Sequence, residues 1–232
     1  MSKNNITTLI IIPTEMELDA FIKEYNKKGI RHESVNLGIL KLNEFIEIGT
    51  GVTLGGLGKA QFAVQTQYCI NRIDGLKRIL CLGASGGLIN GLNLGDVIVA
   101  TETVEHDIKK HSRPLMPRFS SDEAILKRFM TLTESKRDFR IHFGPVASGD
   151  EDIMTEVRKD ELRKQTGAIA VAWEGAGAAR ACQFSNMPFA EVRGICDLAD
   201  HNAGTDFFVN LELVMSHLAE VTIGWILNGK NG

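Results

Sequence analysis

Residues 170–200 read AVAWEGAGAARACQFSNMPFAEVRGICDLAD, and this stretch decides both the fold and the candidate site. Glu174 stands at the start of a helix of small residues, the short apolar strand 188–192 follows, and Arg193 and Asp197 come just past that strand's end. Ligands of α/β proteins lie at strand ends, and two carboxylates beside a guanidinium suit acid/base cleavage of a small polar substrate. The same three charged groups could equally form a structural ion-pair network, and the residues alone leave both interpretations open.

Strands and helices alternate along the rest of the chain. The unbroken β-branched, apolar run 7–12 is typical of a parallel strand buried on both faces, and Glu17 follows it in the first turn of a helix. Further elements are predicted as strands at 78–82 and 143–148 and as helices at 60–73 and 207–227. The alternation predicts one domain over residues 1–232, an α/β sheet with helices on both faces.

Two glycine-rich segments are candidates for ligand contact. Residues 83–87, GASGG, close a predicted strand and leave room for a ligand against the backbone. Residues 49–59, GTGVTLGGLGK, are predicted to be a loop, which either brings backbone N–H groups to an anion or is a tight turn before a helix. This segment lacks the Gly-Lys-Ser/Thr ending of a nucleotide-binding P-loop.

Net charge, cysteine spacing and the length of the apolar runs exclude several classes of function. The 232 residues carry a formal net charge of −3, so they lack the basic excess that a nucleic-acid partner requires. The four cysteines form no C-x-x-C pair, which argues against a zinc site and a disulfide framework and predicts a reducing, cytoplasmic location. The apolar run 9–12 is too short for a signal sequence or a membrane span, so we expect a soluble protein with no membrane partner.

Several motifs, taken in order, resemble those of the purine nucleoside phosphorylase/nucleosidase superfamily, specifically its 5′-methylthioadenosine/S-adenosylhomocysteine nucleosidase branch. The resemblance runs from residue 10 to about residue 208. It implies a three-layer αβα fold with a central, twisted mixed sheet flanked by helices, catalysis without a metal or an organic cofactor, and a homodimer. The motifs are IIPTEME (11–17), GLGKA (56–60), GASGGL (83–88), LGDV (94–97), HD (106–107), ASGD (147–150), WEGA (173–176) and RGICDLAD (193–200).

The resemblance also implies a role for each site residue. Asp197 would protonate the purine at N7, Glu17 would deprotonate the attacking water, and Arg193 would orient that water. Glu174 would bind the ribose hydroxyls. For Glu17, an ordinary first-turn acid favoured by the helix dipole remains the alternative. The other residues implied in substrate binding are Ala84, Ser85, Gly86, Ile153, Trp173 and Cys196.

Two missing groups favour hydrolysis over phosphorolysis. Phosphorylases of this superfamily hold phosphate with an arginine and a serine where this chain has Cys81 and Ala84. A dianion without a guanidinium or hydroxyl partner would be poorly held. A phosphorylase, or a nucleoside-binding protein that has lost catalysis, remains the alternative to a nucleosidase.

The chain also departs from the branch at four places, which leaves its substrate open. Ala172 replaces the first glutamate of the family's Glu-Met-Glu motif, and Trp173 replaces the methionine. Asp152 stands where an aromatic residue stacks on the base. The loop 106–119 is basic, with Lys109, Lys110, Arg113 and Arg118. It is either a solvated charge run or a contact for a substrate with an acidic 5′ substituent.

Overall fold

The computed structural model describes residues 6–108, 116–134 and 136–228. The helices within these ranges are α1 (Glu15–Lys27), α2 (Lys59–Ile70), α3 (Glu123–Met130), α4 (Glu156–Thr166), α5 (Gly175–Phe184) and α6 (Ala203–Asn228). The strands are β1 (Thr8–Ile12), β2 (Glu33–Leu37), β3 (Leu40–Phe45), β4 (Thr50–Leu54), β5 (Arg78–Gly87), β6 (Val97–Glu105), β7 (Arg118–Ser120), β8 (Ile141–Ser148), β9 (Ala170–Ala172) and β10 (Phe189–Asp197).

All ten strands of the described ranges join one mixed sheet. Its order is β10-β6-β8-β9-β5-β1-β4-β3-β2, with β7 attached to β6. Strand β10 also pairs in parallel with β5, so β5, β10, β6, β8 and β9 form a closed ring of pairings. Because β1, β5 and β10 are parallel neighbours, their carboxyl ends meet at one edge of the sheet.

Strand β1 shows why helices cover both faces of the sheet. Its side chains alternate between two apolar clusters because successive residues of a strand point to opposite faces. Ile10 and Ile12 pack in the cluster that holds Phe21 of α1 and the core side of α6. The odd-numbered neighbours, Leu9 and Ile11, pack in the cluster of α2 and α5. The predicted α/β fold with a mixed sheet between helices is thereby confirmed.

Several element boundaries differ from the sequence-based prediction, and the larger differences concern three strands. Residues 50–54 are strand β4 rather than part of a glycine-rich loop, and they pair with β1 and β3. Strand β5 continues through the glycines to Gly87. Strand β10 ends at Asp197 rather than at residue 192, so Arg193 and Asp197 lie within the strand and not past it.

The last helix, α6, links the core to the edge of the sheet where the strands end. By length and composition it is the one described helix apolar enough to cross a membrane. In the fold its buried face, with Leu211, Val214 and Leu218, packs on the sheet in the same cluster as α1. Thr222 hydrogen-bonds the Tyr25 hydroxyl of α1 at 2.9 Å, so this face of the helix is held against the core.

Candidate active site

A cavity of about 440 Å³ lies where the carboxyl ends of β1, β5 and β10 meet. Its walls also come from the segments that follow β8 and β9 and from the first turn of α6. The structure brings all ten sequence-predicted site residues together here, while their individual roles stay predictions. They are Glu17, Ala84, Ser85, Gly86, Ile153, Trp173, Glu174, Arg193, Cys196 and Asp197.

Glu17 both caps helix α1 and lines the cavity. Its Oε2 accepts hydrogen bonds from the Thr14 hydroxyl at 2.6 Å and the Thr14 N–H at 3.1 Å, which completes a capping box at the start of α1. Its Oε1 accepts a hydrogen bond from the Ala84 N–H at 2.8 Å. Burial raises the pKa of Glu17 against the lowering effect of Thr14, Ala84 and Arg193. The first-turn acid is therefore also a buried group on the cavity wall.

Arg193 is the buried centre of an ion-pair network. Its Nε donates to Glu191 Oε1 at 2.8 Å, and its Nη2 donates to Glu174 Oε2 at 3.3 Å. Burial alone would lower the pKa of Arg193, but the Glu191 and Glu174 carboxylates beside it raise that pKa, so the guanidinium stays charged. The structural interpretation of the charge cluster is thus partly correct. Within the described contacts, however, the network joins Glu191 rather than Asp197.

Glu174 is placed by the start of α5. It precedes Gly175, the first residue of that helix, and its Oε1 accepts a hydrogen bond from the Gly58 N–H at 3.3 Å. The Ser148 hydroxyl holds this turn because it donates to the Trp173 carbonyl at 2.6 Å and accepts from the Ala176 N–H at 2.9 Å. Burial raises the pKa of Glu174, and Arg193 opposes the rise.

Asp197 reaches the cavity through an irregularity at the end of β10. The pairing register with β5 shifts between Ile195 and Asp197, the kind of local distortion that redirects side chains near sites. Its Oδ1 accepts from the Ala199 N–H at 2.8 Å, and the Cys196 thiol donates to Oδ2 at 3.1 Å. Burial raises the pKa of Asp197, against these two hydrogen bonds.

The turn after Asp197 is strained. Ala199 has φ +52°, in the left-handed region that costs a non-glycine residue about 1–2 kcal/mol. This conformation aims the Ala199 N–H at the carboxylate. Backbone strain of this kind persists where surrounding structure enforces it, often at functional sites.

Two glycines of β5 make the space that these groups occupy. A Cβ on Gly83 would lie 2.6 Å from Arg193 Nη1 and 2.9 Å from Glu17 Oε1. A Cβ on Gly86 would lie 2.7 Å from Asp197 Oδ1. The glycine cluster at this strand end therefore makes room for the protein's own charged side chains.

The remaining walls are mostly apolar and include residues that sequence reasoning missed. Leu57, Met154, Phe207 and Phe208 line the cavity, although they lie far apart in the chain. Leu57 lies in the GLGKA motif but was not singled out as a site residue, and no local motif marks the other three. Asp152, one of the departures from the nucleosidase pattern, is exposed and also lines the cavity.

Three further polar groups were also missed, Thr14 in the cavity wall and Glu191 and Thr103 behind it, although two of them carried a signal. Thr14 forms a Ser/Thr-x-x-Glu capping pattern with Glu17. Glu191 precedes Arg193 by two residues, which places both side chains on one face of a strand. Thr103, which donates to Glu191 Oε2 at 2.5 Å, comes from β6 without any sequence signal.

Two sequence-predicted groups are already engaged inside the protein. The Ser85 hydroxyl donates to the Gly194 carbonyl at 3.1 Å and so links β5 to β10. Cys81 is fully buried beside Arg193, with its sulfur 3.5 Å from Nη2, and burial raises the pKa of its thiol well above the usual range. Its position therefore supplies a neutral thiol rather than a positive charge.

The basic loop 106–119 is only partly within the described residues. Lys109, Lys110 and Arg113 lie outside them. Arg118 is in β7, where its guanidinium pairs with Glu102 at 2.5 Å. Among the described residues no group of three or more His, Cys, Asp and Glu side chains could hold a metal ion, and the four cysteines are buried and free.

The fold and site define an α/β protein with a mixed sheet between helices, in which buried carboxylates and one arginine surround a cavity at the strand ends. The chain belongs to the Phosphorylase superfamily, whose family model matches residues 7–223. The family inferred from the sequence motifs is confirmed.

Curated relatives and solved structures show which members of the superfamily this chain resembles. The 5′-methylthioadenosine/S-adenosylhomocysteine nucleosidase of Anoxybacillus flavithermus is 29% identical over 184 residues, which cover 75% of this chain and 79% of the relative. The Neisseria meningitidis nucleosidase of the same name, solved with methylthio-immucillin-A, is 25% identical, with a TM-score of 0.83 and coverage of 97% and 99%. Futalosine hydrolase of Helicobacter pylori shares the fold, with 23% identity, a TM-score of 0.83 and coverage of 96% and 98%.

Proposed function

We propose that the protein is a nucleosidase that hydrolyses the N-glycosidic bond of a purine nucleoside derivative similar to 5′-methylthioadenosine or S-adenosylhomocysteine. The observation that carries the proposal is that Glu17, in the first turn of α1 after β1, and Asp197, at the end of β10, line one cavity from the two sides of β5. Burial raises the pKa of both. A raised pKa keeps a carboxyl group protonated at higher pH, where it can then act as a general acid. It also makes the ionised carboxylate a stronger base.

Asp197 is the proposed acid. Its Oδ1 accepts from the Ala199 N–H, and its Oδ2 accepts only from the Cys196 thiol, a weak donor, so Oδ2 is the oxygen that carries the proton. Transfer of this proton to N7 of the purine lets the base leave as a neutral molecule, with the electron pair of the broken C–N bond. Burial raises the pKa of the Cys196 thiol, so the thiol stays protonated and can donate to the carboxylate that remains.

Glu17 is the proposed base. It takes a proton from water as the water oxygen bonds to C1′, so the products are the free base and a ribose carrying a new hydroxyl. The Thr14 and Ala84 hydrogen bonds fix the carboxylate, while Glu174 accepts hydrogen bonds from the ribose hydroxyls. Such bonds strengthen as the ring becomes oxocarbenium-like.

The charge distribution favours water over phosphate as the nucleophile. Arg193 already contacts two carboxylates, and Cys81 adds no charge. Among the described residues that line the cavity, a phosphate dianion would face Glu17 and Glu174 without a free guanidinium partner. Phosphorolysis therefore stands as the second candidate.

One assay tests the reaction and separates the candidates. The purified protein is incubated with adenine, guanine and hypoxanthine nucleosides and with their neutral and acidic 5′ derivatives, with and without phosphate, and free base is measured by chromatography. We expect base release without phosphate. Strict phosphate dependence would replace the nucleosidase by a phosphorylase, and nucleoside binding without base release would indicate a binding protein.

The panel also addresses the base and the 5′ substituent. Asp152 in the cavity wall can accept hydrogen bonds from an amino group of a base but cannot stack on it. Relatives named as methylthioadenosine/S-adenosylhomocysteine nucleosidases and as futalosine hydrolase support a purine derivative without fixing its 5′ group.

We further propose a homodimer in the cytoplasm. The small-residue helix α5 packs against α2 of its own chain, because a Cβ on Gly177 would lie 2.2 Å from the Lys59 carbonyl. Exposed Val64 on α2 and Phe184 on α5 leave apolar surface beside that contact. Light scattering during size-exclusion chromatography tests the proposal, since a monomer mass of 25.5 kDa would contradict it.

A further inference from the structure

Glu191 is a charged side chain that touches the candidate site without lining the cavity. It is completely buried in β10, and its two oxygens accept hydrogen bonds from Arg193 Nε at 2.8 Å and from the Thr103 hydroxyl at 2.5 Å. A Cβ on Gly175 would lie 2.2 Å from its Oε2, so the first residue of α5 leaves space for this carboxylate. Three elements thus hold one acid against the guanidinium.

Arg193 connects this acid to the cavity. Its Nη2 contacts Glu174, and its Nη1 and Glu17 Oε1 both lie within 3 Å of the point where a Gly83 Cβ would stand. A guanidinium beside a carboxylate favours the ionised form of that carboxylate. A carboxylate on its other side offsets this effect, so the charge of Glu191 limits how far Arg193 favours ionised Glu17 and Glu174.

We propose that Glu191 is a positioning residue that holds Arg193 and balances its charge, and so sets the pH range in which Glu17 and Glu174 work. The inference rests on the proposed nucleosidase reaction at the same site. The titratable and charged groups that face the cluster are Glu17 from α1, Cys81 from β5, Glu174 at the N-cap of α5, Cys182 from α5, and Arg193 and Cys196 from β10.

The test compares the pH dependence of kcat/KM for the wild type, Glu191→Gln and Glu191→Asp, measured by base release. Glu191→Gln removes the charge at nearly constant shape. Arg193 then favours ionised Glu17 more strongly, and we expect the acidic limb to move to lower pH by about one unit. Glu191→Asp keeps the charge on a shorter side chain, so its limb should stay at the wild-type position even where the rate falls.

Coincident acidic limbs of the wild type and Glu191→Gln would overturn the proposal, as would equal shifts in Glu191→Gln and Glu191→Asp. If Glu191→Gln does not fold, Thr103→Val replaces it, because this change removes only the hydroxyl that holds Glu191. We expect a smaller shift in the same direction, and an unmoved limb would again overturn the proposal.

A second readout needs no activity. A carboxyl group with a raised pKa in the folded state costs stability as pH rises from its unfolded pKa to its folded pKa. In Glu191→Gln this loss should end at lower pH than in the wild type, as measured by the free energy of unfolding across pH. The readout separates failure of the charge balance from failure of the proposed reaction, since a shift in stability without base release would contradict only the nucleosidase.

Discussion

Replacement of Asp197 by Asn removes the proposed proton donor with little change of shape. The amide oxygen of Asn can still accept the Ala199 N–H, which holds Oδ1 at 2.8 Å in the wild type. The amide nitrogen cannot transfer a proton to the leaving base. The change therefore tests proton transfer separately from substrate positioning.

The expected loss follows from that single function. A general acid contributes about 100- to 10,000-fold to the rate, so kcat should fall by that factor, a barrier increase of about 3–5 kcal/mol. Because the cavity walls are unchanged, KM should change by less than about tenfold. The alkaline limb that reports Asp197 in the wild type should also be missing from the residual activity.

Chromatographic measurement of free base gives kcat, and fluorescence gives binding. Trp173 lines the cavity, whereas Trp225 is buried in the core against Phe129, so quenching of Trp173 reports nucleoside binding. A Trp173→Phe variant identifies the signal. Turnover of Asp197→Asn within about tenfold of the wild type would refute the assignment, because another group would then supply the proton.

The other predictions concern the base, a glycine and stability. Glu17→Gln should lower kcat by at least about 100-fold in the same assay, and a near-normal rate would remove Glu17 from the mechanism. Gly83→Ala should abolish most base release while the protein stays folded by circular dichroism, because the new Cβ would lie 2.6 Å from Arg193 Nη1; full activity would contradict the close approach. Since burial raises the pKa of both Glu17 and Asp197, their contribution to the free energy of unfolding is full below their unfolded pKa values and is lost as pH rises through the folded values. Denaturant titrations should therefore find Asp197→Asn more stable than the wild type at neutral pH, and a less stable variant would contradict this sign.

The sequence predicted the layers of the fold better than the extent of its strands. Apolar runs such as residues 7–12 identify buried strands by composition alone. The segment 50–54 was mistaken for a loop because its glycines indicate turns, whereas Gly51 lies within β4, where a Cβ would stand 2.8 Å from a Leu42 methyl group. Its glycine is required by side chains that pack on it from outside the strand, Leu42 of β3 and Leu9 of β1, and the composition of 50–54 does not record them.

Contacts between elements also limited how much of the site could be predicted from the sequence. Glu17, Arg193 and Asp197 were found because each stands in a motif, and the structure brings them to one cavity. The pairing of the charged side chains was not predictable from the sequence, since Arg193 pairs with Glu191 rather than with Asp197. In the sequence alone, charged residues inside a buried strand are easily placed past the end of that strand. Their true position is recognised only when the residues that pair with them from other elements are known.

The long helix α6 runs from the cavity wall into the core, so hydrogen exchange along it can report binding in the cavity. Its first turns carry Phe207 and Phe208 to the cavity wall, while its later turns are anchored by Trp225 in the core. Occupancy of the cavity should slow amide hydrogen exchange at the start of this helix and leave its anchored half unchanged. The contrast between the two halves of one helix would show where a nucleoside binds before any product is formed.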